Sequence, residues 1–170
     1  MTELVAIVAD THINSSIGLS LPSVNLDDGG TYQASRGQRW LWECWIDFWD
    51  SLDSLARSRA ADVTVIFNGD ILEADPKQRT SQLISRNPAD ILRMASETIQ
   101  PAAVLAKRIF FIRGTASHTG ISANMEEILA ADTIGAIPTD DGTCSWWKLL
   151  AEFGGVLLDV VHHGPLGRKP

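Results

Sequence analysis

Three short apolar runs, Leu4 to Ala9, Asp62 to Phe67 and Arg108 to Ile112, each break off into a polar tip. Longer stretches of helical period lie between them. This alternation constrains the fold more than any other feature. Strands joined by helical crossovers lie parallel in one sheet, so their C-terminal ends share an edge. Ligands of open α/β sheets sit just beyond that edge.

The first helical stretch, Gln38 to Arg59, sets Leu41, Trp45, Phe48, Trp49, Leu52, Leu55 and Ala56 on one stripe. Glu43, Asp47, Asp50 and Ser54 fall opposite. The spacing makes the tryptophans core residues, not a base-stacking platform, and the acids a solvated face. Asn87-Pro88 starts a second helix, with proline at its first position, that runs to about Gln100. A short helix from Ser122 to about Ala131 follows the third strand. Residues 13–37 carry no period and read as one long loop, a length that usually serves function or is disordered. The segments CSWWKLLAEF and VLLDVVHHG flank Gly154-Gly155, a hairpin signal. The expectation is a single layered α/β domain over 1–170, with parallel strands early and an antiparallel pair late.

The polar tips are Asp10-Thr11-His12, Asn68-Gly69-Asp70, Gly114 to His118, and His162-His163-Gly164. All four histidines of the chain sit at such tips, beside aspartates, which points to a metal site. The two cysteines, Cys44 and Cys144, lack metal-type spacing and read as reduced thiols. Imidazole with carboxylate and no thiolate suits manganese, iron, zinc or cobalt. Asp70 can offer one oxygen to each of two ions. Two ions about 3.5–4 Å apart clamp a phosphate and lower a water's pKa towards 7, so no covalent nucleophile is needed. No serine or cysteine arrangement supplies one.

The ordered set Asp10-x-His12, Gly69-Asp70-x-x-Glu73, Gly114 with His118, and His163-Gly164 resembles the calcineurin-like metallophosphoesterases. That resemblance implies two packed β-sheets flanked by helices, with two divalent ions at the strand ends. It implies Asp10 and His12 on the first ion, Asp70 bridging, and His163, or failing it His162, on the second. His118 protonates the leaving oxygen or touches the phosphate. The activity implied is hydrolysis of phosphate mono- or diesters by a metal-bridging hydroxide. The insert after the first motif looks most like that of phage and prophage members.

Two departures shape the expectations. The third motif has Thr115, Ala116 and Ser117 where the family carries asparagine, so either His118 is a ligand instead of the acid, or Ser117 or Thr115 takes the place. The closing Gly-His-x-His motif is absent before Pro170. The chain is therefore expected to lack a C-terminal part of the fold or to hold metal weakly, with the 170 residues by themselves nearly inactive. The alternative is a catalytically degenerate binding module on the same fold. Glu73 orients His12 or a metal-held water, or is an exposed loop acid. Arg79, with Lys77 and Arg86, is a candidate for the phosphate oxygens. The loop over 13–37 is expected to form one lip of the site.

A phosphate ester is thus the expected partner. The net charge of −7 gives a nucleic-acid role no support. No apolar run approaches the ~20 residues of a membrane helix and no signal peptide is read, so the expected location is cytoplasmic. Oligomeric state is left open.

Overall fold

The computed structural model describes residues 2–74 and 82–163. In chain order the elements are β1 (Glu3–Val8), β2 (Ser23–Asn25), β3 (Thr31–Gln33) and α1 (Arg36–Arg59). Next come β4 (Asp62–Asn68), α2 (Pro88–Leu105), β5 (Arg108–Ile112), α3 (Asn124–Asp132) and β6 (Ser145–Trp146). The strands β7 (Leu149–Phe153) and β8 (Val156–Val160) close the described chain. The expected mixed α/β organisation holds: β1, β4, β5 and β6 form a parallel sheet in that order, and β7 and β8 form a separate antiparallel pair.

Strand parity assigns the two faces of this sheet. Val65, Phe67, Ile109 and Phe111 point to the helices and join Trp45 and Trp49 of α1, Ile91 and Met94 of α2, and Leu129 of α3 in one core. Ile66, Phe110 and Ile112 point the other way and meet Leu149, Phe153 and Val160 of the β7–β8 pair. The near-continuous apolar character of DVTVIF and RIFFI follows from this burial on both faces.

α1 begins with a capping box, in which Ser35 accepts the Gln38 amide and the Gln38 side chain answers the Ser35 amide. Gln38 is itself buried and donates to the carbonyls of Ser15 and Gly18, tying the helix to the chain just after His12. The apolar stripe is narrower than its period suggests: Trp45, Trp49 and Ala56 are buried, whereas Phe48 and Leu55 at its margins stay partly open. Trp45 donates to the Thr98 carbonyl on α2 at 2.9 Å, so its ring is a packing element with a satisfied N–H.

The structure differs from the sequence-based expectation in three places. Residues 13–37 are not one unbroken loop but contain the β2–β3 pair, whose three-residue strands are too short to give a period. α2 continues past Gln100 and through Pro101 to Leu105, because the burial of Ala102 outweighs the hydrogen bond that proline removes. Cys144 to Phe153 is not one hairpin arm. Ser145–Trp146 pairs with β5, and only Leu149 onwards pairs with β8. Glu127 of α3 draws Ser145 into the main sheet by accepting the backbone amides of Cys144 and Ser145, each at 2.8 Å. No helix among the described residues is long and apolar enough to cross a membrane.

Candidate metal centre

β1 and β4 are paired in register up to Val8 and Phe67, so their exits leave side by side. The stitching continues into the tips. The Asp10 amide donates to the Gly69 carbonyl, His12 to Asp70 and Ile13 to Ile71, at 3.1, 3.1 and 2.9 Å. The backbone here is not extended. Asp10, His12 and Asp70 have φ of 56°, 44° and 51°, in the left-handed region that non-glycine residues seldom enter. Asp10 and His12 therefore meet through tight turns, with Asp10 Oδ1 at 3.8 Å from His12 Nε2.

Two glycines make the approach close enough. A Cβ on Gly69 would lie 2.4 Å from the ring of His162, and one on Gly114 would lie 2.3 Å from the carboxylate of Asp70. No other residue fits at either position.

Asp70 is the hub. It is 3% exposed, and two ligand-capable groups share it: His12 with His118, and Asp10 with His162. Within each group the donor atoms lie within 4.8 Å of one another. Oδ1 of Asp70 accepts the Thr115 amide at 2.6 Å, and Oδ2 accepts the Thr115 hydroxyl at 3.2 Å. His162 approaches Oδ2 through Nε2 at 3.1 Å, while its Nδ1 lies 2.6 Å from the Asn68 carbonyl.

That last arrangement tests whether the residues fit a cation. A carbonyl only accepts, so Nδ1 of His162 carries the proton. In the neutral ring Nε2 is then a lone pair facing a carboxylate oxygen, and the two acceptors repel unless a positive charge joins them. A metal ion held by a histidine whose far nitrogen is bonded to a backbone carbonyl is a common solution. The donor set of imidazole and carboxylate without thiolate fits the same borderline metals.

The other half is built on Glu73, which is buried. Its Oε2 is bonded to Nδ1 of His118 and lies 3.4 Å from Nδ1 of His12. The two imidazoles stand edge to face, 4.5 Å between centroids. Glu73 thus orients the histidines from behind, and the open-acid alternative does not describe it.

The placement of the remaining candidates is mixed. His162 lies against Asp70, whereas His163 is exposed and belongs to neither group. Asp10 is grouped with His162, and His12 with His118, which redistributes the ligand pairs implied by the resemblance. Thr115 is engaged with Asp70, and its hydroxyl also lies 2.9 Å from that of Ser117. Arg79 and Lys77 fall outside the described residues. Arg86 is exposed and not among the described residues that line the cavity beside the site.

Sequence reasoning missed Glu126. This carboxylate of α3 has no exposed surface, and it accepts the Ile71 amide at 3.0 Å and the Gly114 amide at 2.5 Å. It therefore clamps the tips of β4 and β5 together. Burial pushes its carboxyl up to about 7, with the Asp70 charge adding to the effect and the two amides opposing it. No tip motif marks it, although two acids opening a helix after a strand, Glu126 and Glu127, were a visible signal.

No family model, curated protein or solved structure matches this chain.

Proposed function

We propose that the protein is a metal-dependent phosphoesterase of calcineurin-like fold that hydrolyses phosphate mono- or diesters. The observation carrying this reading is the sharing of buried Asp70 between two ligand-capable groups at the ends of adjacent parallel strands. Divalent ions in such a centre supply Lewis acidity towards phosphoryl oxygens and lower the pKa of a water. Asp70 would contribute to holding both ions and His162, pinned by Asn68, to holding one of them. His118, with Nδ1 engaged by Glu73, keeps Nε2 for the substrate and delivers a proton to the leaving oxygen.

The test is turnover of bis(p-nitrophenyl) phosphate with added manganese, alongside elemental analysis after dialysis. The reading expects manganese-dependent turnover that Asp70→Asn abolishes. Turnover absent even with manganese in saturating excess, or unchanged in that variant, overturns it.

A second reading, a binding module without chemistry, has one observation in its favour. Thr115 satisfies both carboxylate oxygens of Asp70 with its amide and hydroxyl, leaving less of the carboxylate for ions. A chain that binds a phosphate ester while holding no metal would favour it.

A further inference from the structure

A cavity of about 950 Å³ opens beside the histidines and runs along the free edge of β1. Its inner end is polar, formed by Asp10, His12, Glu73 and His118. The rest is largely apolar. Ile7 of β1, Ile17 and Leu19 of the following segment, and Leu41, Trp45 and Phe48 of α1 face it. Three of these are unusually open for large apolar side chains: Ile17 at 69%, Ile7 at 50% and Phe48 at 44%. Apolar walls leading to a few convergent polar groups are the usual form of a small-molecule site.

The apolar wall decides what kind of group fits. Among the described lining residues the charged side chains besides histidine are Asp10 and Glu73, both at the polar inner end. An uncharged aromatic group would meet Phe48 and the edge of Trp45 and remove the exposed apolar surface from water.

We propose that this cavity receives the apolar, preferably aryl, alcohol group of the phosphate ester, so that the substrate class is a hydrophobic phosphoester. The inference rests on the phosphoesterase reading only for the phosphoryl end. α1 and the residues after His12 are then the specificity wall, and Gln38 fixes the two relative to one another.

The experiment compares binding of phenylphosphonate and methylphosphonate to the intact chain with manganese, by isothermal titration calorimetry. These compounds present the same phosphoryl oxygens and are not hydrolysed. Phenylphosphonate is expected to bind about tenfold tighter or more, the discrimination a hydrophobic pocket gives for small changes in a ligand. The double variant Ile17→Ser, Phe48→Ser is expected to erase most of that ratio. Both side chains are largely outside the core, so thermal unfolding should stay close to that of the parent. Equal binding of the two phosphonates, no binding of either, or a ratio that survives the double variant overturns the proposal. So does a dimer, seen by sedimentation velocity, that the double variant dissociates and that shows no phenyl preference, because the groove then belongs to a second copy. A phenyl preference in a chain whose turnover ignores Asp70→Asn keeps the cavity assignment and removes the phosphoesterase reading alone.

Discussion

The two halves of the centre are held by different means. His162 is fixed by a backbone carbonyl and lies almost wholly under cover, its ring 9% exposed. His118 and His12 are fixed by a side chain, Glu73, and are more open, His118 at 37%. A ligand anchored to main chain inherits the rigidity of the sheet. One anchored to a carboxylate depends on that carboxylate's rotamer and charge. The half around His162 should therefore be preformed and the half around His118 adjustable, a division that would let His118 follow a substrate while Asp70 and His12 hold that side's ion.

The most severe way to break this comparison is to remove what the halves share. Asp70→Asn is expected to lower kcat/KM on bis(p-nitrophenyl) phosphate by about a thousandfold or more, since ion chemistry contributes several kcal/mol. Elemental analysis should find both ions lost. One ion retained would show that the halves stand independently.

Glu126 sets the frame for both halves, and its effect is expected in stability. Its carboxyl titrates near 7 in the folded chain against an ordinary value of 4.5, so between those values the folded state binds the extra proton. Stability of the metal-free chain should therefore fall as pH rises from about 4.5 to 7. The loss attributable to this group is up to about 3 kcal/mol, at roughly 1.4 kcal/mol per pKa unit. Urea unfolding of the parent and of Glu126→Gln at both ends of that window reads the difference. A parent whose stability relative to the variant rises with pH contradicts the assignment.

Glu73→Gln separates the halves more gently. It should weaken the ion on the His12–His118 side about tenfold or more, the usual effect of removing a ligand's supporting partner, and spare the other. Equal weakening of both would mean that Glu73 serves the whole centre. The smallest effect sharpens the comparison at its far edge: His163→Ala should change ion content and turnover by no more than about twofold, against the loss of one ion in His162→Ala. A reversed order would return His163 to the site.

Much of this was legible because long-period signals survive local noise. Arg108–Ile112 and the start of α2 at Pro88 fall where the sequence puts them, since an apolar run and an Asn-Pro boundary are local facts. The strand tips carrying Asp10, His12, Asp70 and His118 were readable for the same reason. The β2–β3 pair was not, because strands of three residues hold too few side chains to alternate. The choice between His162 and His163 was decidable in principle. Leu158 and Val160 face the core, and strand parity carried two residues further selects His162. For Glu126 the pair of acids opening α3 showed only that an acid was there; its role stayed hidden because its partners are backbone amides from two distant tips.

The left-handed turns at Asp10, His12 and Asp70 bear on how such a sequence can change over generations. Each side chain sits where glycine would relieve about 1 kcal/mol or more of backbone strain. For folding alone, mutation towards glycine would be tolerated or favoured at Asp10 and His12, whereas at buried Asp70 it would strand the Thr115 amide. A lineage released from the need for the centre would drift that way first. The codons of Asp10 and His12 are thus the earliest places where a loss of function would be written, and glycine appearing at both would mark a chain that keeps the fold and has left the chemistry.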